Sequence, residues 1–307
     1  MTTPLDRRTF VRSSLRTALA VAAAGSVPIL DLLALPAQAA EPPLLAVRRG
    51  PDIPKLVRDA LGALGGMGAY VKPGDVVVVK PNIGWDRTVE LAANTHPAVV
   101  RTLVELCLEA GAKQVRLFDR TCNDPRRCYA ASGIAAAVAQ LKSNRVELAH
   151  IDPRAFRAVA IRGGRALAEW EFYQPALEAD VFINVPVAKH HSISRLTLGM
   201  KNLMGVVGGS RGRLHTDIAE SLADINSVVV SDLTVIDATR ILVANGPQGG
   251  RLEDVRQLDT VLASPDIVAA DAYAATLFDL TPDQVPSIVA GARRGLGVMD
   301  LNRIRLV

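Results

Sequence analysis

The sequence predicts an α/β domain, a largely parallel open sheet with flanking helices, forming a single domain behind an export signal. Three observations predict it. Continuous β-branched runs of strand length recur along the chain. Segments with helical spacing of apolar residues separate them. Polar residues with no packing role follow the strands at once, as they do where an open sheet binds a ligand. With 49% hydrophobic and 21% charged residues over 307 positions, the chain is globular rather than disordered.

Taken in order, the turn Lys72-Pro73-Gly74-Asp75 announces the strand Val76-Val77-Val78-Val79. Thr95-His96-Pro97 opens a helix, with Thr95 as the expected cap and Val99, Val100, Leu103, Val104, Cys107 and Leu108 at helical spacing. Gly111 ends it. Val115-Arg116-Leu117-Phe118 is the next strand and residues 133–141 the next helix. Val181-Phe182-Ile183-Asn184-Val185, and Val228-Val229-Val230 followed by Leu233-Thr234-Val235-Ile236, read as two more buried strands. Residues 199–212 between them are Gly-rich. Thr260-Val261-Leu262-Ala263 is a strand, after which Ser264-Pro265 caps a helix over residues 266–278. Residues 145–175 leave room for an inserted lobe.

The N-terminus carries a twin-arginine pattern, Asp6-Arg7-Arg8-Thr9-Phe10-Val11-Arg12. An apolar stretch over residues 15–35 follows, broken by Gly25, Pro28 and Asp31, and Ala37-Gln38-Ala39 supplies a cleavage site. The breaks and the cleavage site argue against a membrane anchor. The expected domains are therefore a signal over residues 1–39 and the α/β domain over residues 40–307. The expected location is the periplasm or the extracellular space, with the twin-arginine translocation machinery as a partner. Without the four Arg and two Asp of the signal, the net charge of +4 falls to +2. That implies no general affinity for nucleic acid, and no stable membrane span is expected in the mature protein.

Of the three cysteines, Cys107 lies among apolar residues and reads as core. Cys122 and Cys128 flank a turn that a disulfide could close outside the cytoplasm. Their C-x5-C spacing is no zinc or iron–sulfur signature, so no cysteine-ligated iron–sulfur cluster is expected.

Four segments place polar residues at or near strand ends: Lys80-Pro81-Asn82, residues 186–191, Asp237-Ala238-Thr239, and residues 199–215. Lys80, Lys189 and Lys201 would repel one another if they converge, unless an anion lies between them. A phosphate or carboxylate is the natural counter-charge, with Asn82 and Asn202 as neutral partners and Gly205 and Arg211 in a loop able to close over it. Solvated surface lysines are the plain alternative. His96, His190, His191 and His215 are four of five histidines. With Asp237 and Asp271 as carboxylates, His96, His191 and His215 are candidate ligands for a transition metal, iron, zinc or nickel. Without a metal, His191 and His215 become an acid/base pair beside Lys189 or Lys201.

The strings Asn184 to His191, Thr197-Leu198-Gly199-Met200-Lys201-Asn202-Leu203-Met204-Gly205 and His215 resemble the core of the domain-of-unknown-function 362 family. Lys80-Pro81-Asn82, Asn94-Thr95-His96-Pro97, Asn245-Gly246-Pro247, residues 266–272 and Gly295-Leu296-Gly297 match that pattern too. The family usually has Lys-Thr-His where this chain has Lys189-His190-His191, so His191 holds the family position. Many relatives carry ferredoxin-type cysteine runs that this chain lacks. The resemblance implies a fold and a site but no settled reaction. The residues themselves support an exported enzyme acting on a small anion through a Lys/His/Asp pocket, by hydrolase-type or lyase/isomerase-type acid/base chemistry. The alternative is a non-catalytic module that binds an anion, a metal or a redox partner.

Overall fold

A computed structural model describes residues 41–307; the expected signal, residues 1–39, lies outside them. The chain opens with β1 (Leu44–Arg49), α1 (Ile53–Ala63), β2 (Val76–Pro81), α2 (Pro97–Glu109) and β3 (Gln114–Leu117). It continues through α3 (Pro125–Ala131), α4 (Ile134–Ala139), β4 (Val146–Leu148), β5 (Phe156–Ala160), β6 (Glu169–Tyr173) and α5 (Gln174–Leu177). Then come β7 (Val181–Val185), β8 (Val187–His191), β9 (Arg195–Thr197), α6 (Gly199–Asn202) and α7 (Ile218–Val228). Last are β10 (Leu233–Leu242), β11 (Val255–Ser264), α8 (Ile267–Thr276), α9 (Pro286–Arg293) and β12 (Arg305–Leu306).

The main sheet runs β12-β1-β11-β10-β7-β2-β3-β4, with β8 and β9 attached beyond β10. From β10 to β4 every neighbouring pair is parallel, while β11 runs antiparallel to both β1 and β10. The largely parallel sheet read from the sequence is thus present. The inserted lobe is a separate two-stranded antiparallel ribbon of β5 and β6. Among the described residues no helix is long and apolar enough to cross a membrane.

The chain lays down β2, β3 and β4 in one direction, then returns to the other side of β2 to add β7 and β10. The strand order reverses between β2 and β7. Beyond the carboxyl ends of those two strands the flanking loops part, and a crevice opens.

The sheet alternates its faces. Val77, Val79, Ile183 and Val185 pack into a core with α1, α2 and α4, while Val78 and Phe182 join a core with α7 and the ribbon. The pleat therefore turns Lys80 to the side of Val78 and Asn184 to the side of Phe182. In register, Lys80 lies beside Asn184 and Asn184 beside Thr234, so three polar side chains form a row across β2, β7 and β10.

Several boundaries differ from the sequence reading. Residues 228–230 are not strand: α7 runs to Val228, and Val230 is 62% exposed. The helical spacing of Leu222, Ile225 and Val229 on the buried face outweighs the β preference of three valines. Thr95 does not cap α2. Its hydroxyl accepts the Asn82 N–H and donates to the Val185 carbonyl, and the His96 ring is the cap instead. α8 is capped by Asp266, whose carboxylate accepts the Ala269 N–H. Cys122 and Cys128 are free thiols, Cys122 exposed and Cys128 buried.

Candidate active site

The site starts from Lys80, the last but one residue of β2. Its side chain is fully buried, and its ammonium reaches Asp119 Oδ1 at 2.8 Å, the Pro81 carbonyl at 2.9 Å and Asn202 Oδ1 at 3.0 Å. Three donors meet three acceptors, so Lys80 has nothing left to offer a ligand. Burial lowers its pKa while Asp119 pulls it up. Asp119 follows β3 and uses its second oxygen to accept the Ile83 N–H at 2.6 Å.

Asn202, at the end of α6, ties the strands together. Its oxygen accepts from Lys80 and from Asn82, and its nitrogen donates to the Lys80 carbonyl and to Asn184 Oδ1. Asn184 in turn donates to the Gly199 carbonyl at 2.8 Å. The polar row on the sheet thereby clamps α6 over the strand ends. Gly205 has to be glycine for space, because a Cβ there would overlap Asp119 Oδ1 and the Lys80 ammonium.

β8 supplies the wall. Lys189 is 1% exposed and donates to Asn82 Oδ1 at 2.8 Å and to the Ala93 carbonyl. Burial, aided by Lys201 and Lys80, brings its pKa down to about 7, against the opposing pull of Cys122 and Asp119. His191 Nδ1 accepts the backbone N–H of Ile193 at 3.1 Å and of Ser194 at 3.4 Å. That nitrogen must be unprotonated, so the neutral ring carries its proton on Nε2. Burial first, then Lys201 and Lys189, push its pKa to about 3. With Nδ1 occupied and its pKa lowered, the neutral His191 ring presents an Nε2–H donor.

His215 lies in a 3₁₀ segment, Arg211–Asp217, with its ring centroid 6.3 Å from that of His191. Burial and Lys201 lower its pKa, while the Gly212 and Arg211 carbonyls work against them. Lys201, on α6, is brought to about 8 chiefly by burial, with Arg211 and Lys80 adding to the shift. Among the described residues its ammonium makes no hydrogen bond and no ion pair.

Arg211 is spent on the protein itself. Its guanidinium donates to the carbonyls of Arg120 at 2.8 Å and Thr121 at 2.9 Å, and Cys122 Sγ lies 4.0 Å away. Arg120 reaches back, giving Nη1 to the Val207 and Gly209 carbonyls, with its guanidinium 5.8 Å from the centre of the Phe156 ring and Glu171 acting on its charge; among the described residues its other N–H groups make no hydrogen bond. The two arginines stitch the loop after β3 to the Gly-rich loop. Arg211→Ala is expected to cost about 1–3 kcal/mol in urea unfolding, since charged hydrogen bonds to three carbonyls, that of Met204 at 3.4 Å included, are lost. An unchanged midpoint would mean that the stitch carries no load.

These groups enclose a cavity of about 330 Å³, at the small end of ligand sites. Trp85, Ser192 and Ile193 also line it, and Ile193 is 56% exposed. Asp119 is its one acidic side chain, against Lys189, Lys201, Arg120 and Arg211. With Asp119 committed to Lys80, no other carboxylate lines the cavity beside these cations, and Glu171 acts on Arg120 from outside it.

The expected metal set is not assembled. The His96 backbone N–H donates to Asp237 Oδ2 at 2.7 Å, the His96 ring accepts the Ala98 N–H, and the other Asp237 oxygen accepts from Thr239. Asp271 accepts the Gly199 and Met200 N–H groups at 2.6 and 2.9 Å, which anchors the start of α6. Burial lifts its pKa to about 7. None of the three lines the cavity. Among the described residues no three His, Cys, Asp or Glu side chains gather around a point that suits a metal, and the Nδ1 of His191 is already taken. These donors do not fit the metal site read from the sequence.

The sequence reading missed Asp119, Arg120 and Trp85, and it weighed Cys122 only for a disulfide that could close its turn. Asp119 and Arg120 follow β3 directly, the same strand-end signal that found Lys80 and Lys189.

Among known proteins, the chain is similar to a thylakoid-associated protein of Synechocystis sp., 31% identical over 254 residues, covering 78% of this chain and 74% of that protein. Two solved structures are more distantly similar. One is a protein from Thermotoga maritima, 12% identical with a TM-score of 0.46, covering 76% of this chain and 60% of that one. The other is the lactate racemase apoprotein from Thermoanaerobacterium thermosaccharolyticum, 10% identical with a TM-score of 0.46, covering 77% and 57%. The chain thus spans less than two thirds of either structure. The model of a family described as a domain of unknown function, DUF362, matches residues 77–276.

Proposed function

The chain belongs to the DUF362 family, whose matched span contains every residue lining the cavity, and on that premise we propose that it is an enzyme acting on a small carboxylate or phosphate. One observation carries the reading: a small cavity at the strand-order reversal is lined by Lys189, Lys201, Arg120 and Arg211 with Asp119 as the one acid, and that acid is already committed to Lys80. An anion is the counter-charge that relieves this excess. Arg120 offers it the N–H groups not used by Val207 and Gly209, and Lys201 offers an ammonium without a partner.

Catalysis needs a group that changes protonation near neutral pH, and Lys189 is that group. In its neutral form it spends two N–H groups on Asn82 and Ala93 and keeps a lone pair with which to take a proton. The His191 Nε2–H supplies a neutral donor for an oxygen that gains charge. The pocket is thus suited to proton transfer on a small anion. A pure binding module would be served better by permanent cations than by a lysine half neutral at pH 7.

Thermal unfolding in phosphate, lactate and pyruvate tests the reading. At least one anion is expected to raise the melting temperature of the wild type. Lys201→Gln is expected to weaken that anion by about 10–100-fold, the worth of a charged hydrogen bond. No protection by any of the three, or undiminished protection in the variant, would sink it. The pH dependence has a definite sign. Lys189 and Lys201 have folded pKa values of about 7 and about 8, below their unfolded values. Anion protection is therefore fullest below pH 7 and declines as the pH rises through 8. Without an anion, the unfolded chain binds more protons than the folded one from pH 7 up to the unfolded lysine range near 10.5, so stability climbs across that window.

A further inference from the structure

We propose that the Lys201 amine attacks the carbonyl carbon of a small 2-oxo acid bound in the cavity and holds it as an imine. The inference rests on the anion-binding reading and adds to it the substrate class and the reacting atom.

The argument begins with the use of donors. Lys80, beneath the cavity, has three partners and Lys189, in its wall, two, whereas among the described residues Lys201 lines the cavity with none. No free carboxylate stands by to keep Lys201 charged, because Asp119 serves Lys80 and the Ile83 N–H. A group that only anchored an anion would gain from permanent charge. Burial, with Arg211 and Lys80 and against the opposing pull of Cys122, brings its pKa to about 8, which increases the share of free amine, the condition under which a lysine becomes a nucleophile. The rest of the cavity suits the other two parts of an oxo acid. The unused N–H groups of Arg120 match a carboxylate, and the His191 Nε2–H matches a carbonyl oxygen.

The step balances without an outside reagent. The Lys201 lone pair forms the C–N bond while the carbonyl π electrons pass to oxygen, which the His191 donor steadies. Lys189 in its neutral form carries one proton from the new C–N nitrogen to that oxygen, giving the neutral carbinolamine, and then a second from the same nitrogen to the hydroxyl as the C–O bond breaks. The carbinolamine loses that oxygen as water, leaving C=N, and nothing is oxidised or reduced.

The test is reductive trapping on the full-length protein near pH 8. Glyoxylate, pyruvate, 2-oxobutanoate and 2-oxoglutarate are each added with sodium borohydride, followed by intact-mass measurement and peptide mapping. With at least one of them the wild type is expected to gain the mass of the acid less one oxygen atom, mapped to Lys201. Lys201→Arg keeps the charge and is expected to retain thermal protection by that acid while losing the adduct. Mapping on the wild type gives the answer even if the variant folds poorly. An oxo acid that raises the melting temperature without forming an adduct overturns the imine and leaves the anion reading standing. So does an adduct on any other lysine alone, or protection by lactate or phosphate with none by an oxo acid. If no oxo acid, lactate or phosphate binds, the anion reading fails and the imine with it.

Discussion

Asp119→Ala is expected to lower folding stability by about 3–5 kcal/mol, the loss typical of removing one partner of a buried ion pair. The side chains of Asp119 and Lys80 are 2% and 0% exposed and 2.8 Å apart. Deleting the carboxylate leaves an ammonium under the sheet ends with only two neutral acceptors, and strips the Ile83 N–H of its acceptor as well. Urea unfolding checks the size of the loss. The double variant Lys80→Met, Asp119→Leu provides the control, because it removes both charges and fills their volume. It is expected to be more stable than Asp119→Ala alone. A single variant as stable as the wild type would mean that the pair contributes nothing.

Gly205→Ala is expected to cost about 3 kcal/mol or more, although it adds only a methyl group. Overpacking alone costs about 1–3 kcal/mol. Here the added carbon would occupy the place of Asp119 Oδ1 and the tip of Lys80, so the ion pair has to part as well. The backbone at Gly205 does not lie in the left-handed region, so the cost is one of space and not of conformation. This gives a sharp check by double-mutant cycle. In the Asp119→Ala background the carboxylate is gone and only the flexible end of Lys80 still has to shift for the same methyl group. The second substitution is then expected to cost much less than it does in the wild type. Strict additivity would mean that Gly205 is needed for something other than the ion pair.

The parallel sheet was legible because Val76-Val77-Val78-Val79 and residues 181–185 are too apolar to lie anywhere but inside. Lys80 and Lys189 were legible because each stands at or just beyond such a run. What stayed hidden depends on pairing across the sheet. No local pattern says that Lys80, Asn184 and Thr234 share one height on one face, since that follows from the register of three strands far apart in the chain. Asn184, inside an apolar run, read as a strand residue, and its bond to α6 came only with the fold. The histidines misled for a related reason. Their grouping in the sequence suggested a shared ligand, yet His96 and His191 each use Nδ1 to accept the backbone N–H two residues on. Local hydrogen bonding to the chain had already taken the nitrogen that a metal would need. Val228-Val229-Val230 failed differently, because a helix begun at the Asp217 cap carries on into residues of opposite preference when their burial suits it.

The amide and ammonium groups beneath the cavity have one further consequence. Lys80, Asp119, Asn82, Asn184 and Asn202 hold one another through bonds that leave hardly a rotamer free. In water, a molecule that gains charge must wait for surrounding dipoles to turn, and the turning absorbs much of the benefit. Here the dipoles were oriented when the chain folded, and the energy of aligning them was spent then. A ligand that enters meets a field already set, one that would respond to charge appearing on it without first having to rearrange.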